Sequence, residues 1–291
     1  VLTGPHRTYL FAPGNHARKV EKVFASGADA AILDLEDAVA VAEKESARAL
    51  ITAALQAPRP CRGFVRVNAF DTPFCQGDIV AVVGPWLDGI VLPKVESTDA
   101  LKAVDGRLAE FERQHGMMPG AVDLIPIIET AKGLENVAAI AGAGGRARRL
   151  AFGAVDFAKD LGMRLTVEEW ELTPARARIA VASRAAGLEA PIDSVYVHFR
   201  DAEGLRQSAQ RALTLGFQGK MCIHPDQIGP VNDVFTPSDE ETARAEQIVA
   251  AFEKAEATGS ASIVVDGFFV DYPVVDQARR TLALVKSIRG R

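Results

Sequence analysis

Through the first ~225 residues, eight short apolar runs alternate with segments of helical spacing, at a period of about thirty residues. This alternation restricts the fold more than any other feature, because parallel neighbours need a long crossover between them, usually a helix. The runs are 8–12, 30–35, 64–68, 89–92, 122–128, 150–155, 194–197 and 220–223. Helices are predicted over 16–26, 43–55, 78–83, 97–113, 131–141, 174–186 and 203–215, with Ser97 as an N-cap. Eight such units in ~225 residues fit a closed (β/α)8 TIM barrel better than an open doubly wound sheet. The glycine-rich stretch 142–145 precedes a strand rather than following one, so it reads as a helix stop and not as a phosphate loop.

From Ser238 the pattern changes to a capped helix reaching Ala257, a hairpin or strand pair over 263–271, and a last helix from Pro273 to about Ile288. The predicted organisation is a catalytic barrel over 1–236 and a C-terminal helical and hairpin extension over 237–291. The extension holds too little apolar material for an independent core. It is expected to pack as a lid on the barrel or on a neighbouring subunit, which implies a homo-oligomer.

Formal net charge is −5 with both signs interspersed, so no basic stripe invites nucleic acid. Cys61, Cys75 and Cys222 are odd in number and widely spaced, which suggests neither a disulfide framework nor a zinc site. No apolar run is long enough to span a bilayer and no secretory pattern opens the chain, so a cytoplasmic, membrane-free protein is expected.

Function is read from the ends of the strands. Glu36 and Asp37, Arg66, Lys94, Glu129 and Asp156 each stand at or just past the C-terminal end of an apolar run. In a barrel of parallel strands those ends converge at one mouth, where active sites form. Glu129 and Asp156 would meet there and hold a divalent cation, or else they simply cap the helices that follow them. Two carboxylates suit Mg2+, which keeps waters and takes oxygens from a substrate. Arg66 is a candidate clamp for a substrate carboxylate and also a candidate ion-pair partner of Glu36 or Asp37. Arg18 and Lys19 reach phosphates at the mouth or lie on a solvated helix face. His224 is either a general base or a core or backbone-bonding residue.

These strand ends lie within a longer series of motifs. They are Arg7 with Leu10-Phe11-Ala12-Pro13-Gly14-Asn15, Leu33-Asp34-Leu35-Glu36-Asp37-Ala38-Val39, Val65-Arg66-Val67-Asn68, Leu92-Pro93-Lys94 and Ile127-Ile128-Glu129-Thr130-Ala131. Phe152-Gly153-Ala154-Val155-Asp156-Phe157, Phe199-Arg200-Asp201, Gly219-Lys220, Ile223-His224-Pro225 and Phe235-Thr236-Pro237-Ser238 continue the series. In this order the chain resembles the citrate lyase β-subunit-like (HpcH/HpaI aldolase/citrate lyase) family, closest in motif to malyl-CoA and citramalyl-CoA lyases. The resemblance implies Mg2+ on the residues matching Glu129 and Asp156. It implies a substrate carboxylate on Arg66 and a CoA thioester as the usual substrate; Glu36, Asp37 and Lys94 are read from their positions as further substrate contacts, and Arg18 and Lys19 as candidate cofactor contacts. It also implies a lid aspartate, matching Asp271, that acts in proton transfer, often from a neighbouring subunit of a trimer or hexamer. The run 68–74 looks more like the malyl-CoA lyases than like a subunit of multi-component citrate lyase. Two departures are His198, where relatives carry an acid, and Phe268, where relatives carry a basic lid residue.

The expected activity is Mg2+-dependent carbon–carbon cleavage, or formation, of a 3-hydroxy-acyl-CoA such as malyl-, methylmalyl- or citramalyl-CoA, through an enolate. The rival readings are a β-subunit-like component that needs an acyl-carrier partner, a pyruvate-dependent aldolase without CoA, and a non-catalytic ligand sensor.

Overall fold

A computed structural model describes residues 6–290. They form two compact units, His6–Asn232 and 233–290.

The first unit runs β1 (Thr8–Pro13), α1 (Ala17–Val23), β2 (Ala30–Asp34), α2 (Lys44–Gln56), β3 (Arg62–Arg66), α3 (Cys75–Val82), β4 (Gly89–Leu92) and α4 (Thr98–Gln114). It continues with β5 (Asp123–Ile128), α5 (Ala131–Glu135), α6 (Val137–Ala141), β6 (Ala151–Phe152), α7 (Ala154–Leu161), α8 (Thr173–Ala185), α9 (Ala202–Thr214) and β7 (Lys220–Cys222). The helix α10 (Ile228–Val234) contains the division between the units. The seven strands make one curled, TIM-barrel-like parallel sheet in the order β6-β5-β4-β3-β2-β1-β7. Side chains from successive strands, among them Tyr9, Ile32, Phe64, Val91, Ile127 and Met221, fill its interior.

The seventh predicted strand, over 194–197, is not one. Two isolated parallel bridges, Ala151 with Ile192 and Asp193 with Lys220, make the ladder contacts two residues earlier. Beyond them the chain leaves the ladder, and Ser194 Oγ accepts the Ala154 N–H at 2.8 Å. Val195 still packs against the sheet interior, so the apolar run reports packing rather than pairing. The bridge is buttressed by buried charge. Asp193 receives Arg176 Nε at 2.8 Å and Lys220 Nζ at 2.5 Å. Burial would raise the Asp193 carboxyl, but Arg176 and Lys220 outweigh it and hold it at about 2.

The predicted 131–141 helix is two short ones, α5 and α6, parted at Asn136, whose Nδ2 donates to Glu96 O at 2.9 Å. Gly142 ends α6, and Gly144 and Gly145 follow at φ 74° and 80°, so the glycine-rich stretch is a helix stop. Cys61, Cys75 and Cys222 are free, buried thiols.

The second unit holds α11 (Asp239–Glu256), β8 (Ile263–Val265), β9 (Phe268–Val270) and α12 (Tyr272–Arg289). Ser238 caps α11 reciprocally with Glu241. Asp266 and Gly267 turn the β8–β9 hairpin with φ 48° and 80°, as a tight hairpin requires. This stretch gathers a small apolar cluster. Phe252, Val270 and Val275 are buried there, with Ile248 and Val274 packed on them. Among the described residues, no helix is long and apolar enough to cross a membrane.

Candidate active site

The site is built from the ends of β2 to β5 and the first turn of α7. Asp34 and Arg66 end neighbouring strands and are partners in register. Arg66 Nε and Nη2 donate to the two Asp34 carboxylate oxygens at 2.7 and 2.6 Å. That pairing uses one edge of the guanidinium and leaves its Nη1–Nη2 end, where Glu36 Oε2 stands 3.1 Å from Nη1. The Phe11 ring lies against the guanidinium, 4.8 Å from centroid to Cζ. Burial works against the Arg66 charge. Asp34 above all, then Glu36 and Glu129, outweigh it and hold the group charged at any accessible pH. Asp34 has a second task, accepting the N–H groups of Glu36 at 2.9 Å and Ala38 at 3.1 Å.

The expected Arg66–Glu36 pair is therefore present, and Asp37 pairs instead with Lys94 Nζ at 3.4 Å. Asp34 is the principal partner that sequence reasoning missed. Only the register shows it, because Asp34 and Arg66 each end their strands and face one another across β2 and β3.

Lys94 joins the two halves of the site. Its ammonium pairs with Glu36 as well as Asp37. Its backbone adopts φ 52°, a conformation uncommon outside glycine. Its amide donates to Glu129 Oε1 at 2.8 Å. Burial disfavours the Lys94 charge, but Glu36 first, then Asp37 and Glu129, raise the group above the ordinary lysine range.

Glu129 is 2% exposed. Burial pushes its carboxyl up, Arg66 opposes this, and Glu36 and Asp156 add to it, leaving the group at about 8. Asp156 does not end a strand as predicted. Gly153 breaks β6 after Phe152, so Asp156 falls in the first turn of α7. Gly153 also packs against Glu129, since a Cβ there would lie 2.3 Å from Oε2.

Neither acid serves as a helix cap. Thr130 Oγ1 caps α5 by accepting Gly133 N–H at 3.0 Å, and the N-cap of α7 is Gly153. Among the described residues, no three His, Cys, Asp or Glu side chains converge into a ready metal cage. Glu129 and Asp156 offer hard oxygens with room for waters and substrate oxygens, a donor set suited to a small divalent cation. The cluster combines that pair with the Nη1–Nη2 end of Arg66, which Glu36 faces and which is the guanidinium edge shaped for a carboxylate.

The other predicted residues belong to other elements. Arg18 and Lys19 are exposed on α1. His224 follows β7 and is backbone-bonding, its Nδ1 accepting Asp226 N–H at 3.2 Å while its ring stacks on Phe199. His198 packs edge-on to Tyr196. Asp271 belongs to the second unit, immediately before α12, and Phe268 there lies under the Arg244 guanidinium.

Known proteins share this arrangement of sequence and fold. The citrate lyase subunit beta of Leuconostoc mesenteroides is 38% identical over 283 residues, covering 97% of this chain and 93% of its own. The L-malyl-CoA/beta-methylmalyl-CoA lyase of Cereibacter sphaeroides is 38% identical over 298 residues, covering 94% and 92%. The crystal structure of CitE from Mycobacterium tuberculosis, in complex with magnesium, acetoacetate and coenzyme A, superposes with a TM-score of 0.80 at 30% identity, covering 97% and 98%. The HpcH/HpaI aldolase/citrate lyase profile matches residues 7–225. With three quarters of its length under that profile and relatives similar along nearly all of it, the chain belongs to the HpcH/HpaI aldolase/citrate lyase family.

Proposed function

We propose that the chain is a Mg2+-dependent carbon–carbon lyase acting on a CoA-linked 3-hydroxy-acyl thioester, of which malyl-, methylmalyl- and citramalyl-CoA are the candidates. The observation that carries this reading is Glu129. Its carboxyl is buried against Glu36 and Asp156 and pushed up to about 8. Such a cluster of acids is relieved by a proton or by a metal cation.

Glu129 and Asp156 would hold the cation, and a side chain at position 153 would crowd Glu129 Oε2. When bound, Mg2+ supplies a Lewis acid that polarises the carbonyl oxygen of an α-keto acid. The Nη1–Nη2 end of Arg66 would grip the carboxylate of that acid, with Asp34 fixing the plane of the guanidinium. In cleavage the hydroxyl proton passes to a base, which we also assign to Asp271 or a water it holds, the bond between the hydroxyl-bearing carbon and the thioester α-carbon breaks, and its electrons pass to the thioester carbonyl. The resulting enolate then takes up one proton at carbon, which we assign to Asp271 or a water it holds. Arg18 and Lys19 are the proposed contacts for CoA phosphates.

The reading extends to architecture. We take Ile192 and Asp193 as the remaining position of an eight-membered barrel. We place the catalytic barrel in 1–236 and a lid in 237–291, which closes over the mouth of its own or another subunit in a homo-oligomer.

Relatives support this proposal: a malyl-CoA lyase at 38% identity, and a CitE bound to magnesium and coenzyme A at 30%. One alternative has equal sequence support, a β-subunit working beside an acyl-carrier partner, since a citrate lyase subunit beta is also 38% identical. A panel of the three thioesters, incubated with Mg2+ and the purified chain and followed by keto-acid release, separates the two. Turnover of a free thioester by the chain alone supports the lyase. No turnover with metal demonstrably bound refutes it and leaves the carrier-dependent subunit.

A further inference from the structure

Lys44, the first residue of α2, is 5% exposed although it carries a four-carbon ammonium. Its Nζ donates to the carbonyl oxygens of Leu35 at 2.7 Å and Glu36 at 2.9 Å, and it lies 5.6 Å from the centre of the Phe74 ring. Among the described residues, no carboxylate forms an ion pair with it. A methionine would fill similar volume without the desolvation that a buried ammonium suffers. Lys44 is therefore a poor device for stability alone, and its two acceptors show what it does instead.

Those acceptors are consecutive carbonyls in the segment that leaves β2. Asn68 Nδ2 also donates to Leu35 O, at 3.0 Å. From the other side, the Asp34 carboxylate takes the N–H groups of Glu36 and Ala38. The peptides from Asp34 to Ala38 are thus held by their carbonyls on Lys44 and by their N–H groups on Asp34. The side chain that leaves this clamped segment is Glu36, which meets both Arg66 and Lys94.

We propose that Lys44 is a positioning residue: by fixing the Leu35 and Glu36 carbonyls it sets the Glu36 carboxylate, and through it the orientation of the Nη1–Nη2 end of Arg66 toward a substrate carboxylate. Its effect on substrate rests on the proposed role of Arg66. Its effect on Glu36 does not.

The test compares Lys44→Met, Lys44→Arg and Leu55→Ala, the last a buried core residue of the same helix. Each is titrated calorimetrically with pyruvate in saturating Mg2+, and its thermal midpoint is recorded. Lys44→Met weakens pyruvate binding by at least ~10-fold, and Lys44→Arg, which can still donate to both carbonyls, recovers most of it. Leu55→Ala lowers the midpoint as much or more yet binds pyruvate within about 2-fold of wild type. Equal losses in Lys44→Met and Leu55→Ala, or no loss in Lys44→Met, overturn the proposal. Should Lys44→Met fail to fold, Lys44→Gln, which keeps one donor, takes its place under the same criteria.

A crystal structure of the Lys44 variant decides the geometric part. Glu36 displaced from Arg66 and Lys94 supports the proposal, and Glu36 in place overturns it. That reading stands even if wild type binds no pyruvate, a result that would refute the proposed function instead.

Discussion

Gly153→Ala adds one methyl group where the backbone packs against Glu129. The new carbon would fall 2.3 Å from Oε2 and 2.6 Å from Cβ of Glu129, and 3.0 Å from Ile127 Cγ2. Ordinary contact begins near 3.4 Å, so the carboxylate must withdraw by about 1 Å or the α7 start must shift. Withdrawal is opposed, because the Lys94 amide tethers Oε1 at 2.8 Å. Overpacking of this kind costs about 1–3 kcal/mol, which in a chain of this size lowers the thermal midpoint by roughly 2–12 °C.

The functional loss should exceed the structural one. Mg2+ tolerates about 0.2 Å around an oxygen distance near 2.0–2.1 Å, so a 1 Å withdrawal removes Glu129 as a ligand. A loss of at least ~100-fold in Mg2+ affinity by calorimetry is expected, with turnover falling in step. Gly106→Ala is the control. Gly106 is an exposed position in α4 with open space around its Cβ, and alanine there should add up to ~1 kcal/mol of stability and leave the metal untouched. Wild-type Mg2+ affinity in Gly153→Ala would refute the placement of the cation at Glu129.

Three further outcomes follow from the same cluster. Because Glu129 titrates at about 8 in the folded chain against an ordinary 4.5, the folded state holds the extra proton across that interval. Metal-free stability therefore falls as pH rises from about 4.5 to 8, by at most ~5 kcal/mol. Urea midpoints in EDTA at both ends of the interval measure this, and Glu129→Gln should flatten the slope; an unchanged slope in that variant would contradict it. Arg66→Lys cannot span both Asp34 oxygens and still present a free end, so it should lose ~1–3 kcal/mol of stability and at least ~100-fold in keto-acid affinity. Binding within about 2-fold of wild type would rule out the clamp. Asp271→Asn should keep Mg2+ affinity and thermal midpoint while turnover drops by ~100-fold or more; retained turnover would remove Asp271 from proton transfer.

Much of this cluster was legible because strand-end polarity is a one-dimensional signal. Arg66, Lys94 and Glu129 each interrupt or end an apolar run, and the structure brings them together with Glu36. What escaped reading depends on register and backbone conformation. Asp34 sits within an apolar run, and only its pairing with Arg66 across β2 and β3 marks it. The Lys94 amide reaches Glu129 through a positive φ that nothing in a lysine announces. The run containing Val195 is apolar because it packs inward, while the ladder passes through Ile192 and through Asp193, whose charge argued against a strand. In the second unit, three buried residues contributed by α11, β9 and α12 form a cluster that no single segment is apolar enough to signal.

The charge count around Arg66 leads to one more expectation. Asp34, Glu36, Asp37, Glu129 and Asp156 surround two cations, Arg66 and Lys94. The metal-free cluster is therefore short of positive charge, and protonation of Glu129 relieves it only in part. A substrate carboxylate arriving at Arg66 adds another negative charge and worsens the deficit. A divalent cation arriving at Glu129 and Asp156 offsets most of it. Each should thus bind weakly without the other and strongly with it, and by linkage the two must strengthen one another by the same factor. Pyruvate at saturation should raise Mg2+ affinity by at least ~10-fold, and saturating Mg2+ should raise pyruvate affinity equally. In Arg66→Gln, where the carboxylate loses its grip, the coupling should collapse while the intrinsic Mg2+ affinity rises, because one competing positive charge is gone. Equal Mg2+ affinities with and without pyruvate in the wild-type chain would mean that the acids and the arginine do not share one ligand, whatever their proximity.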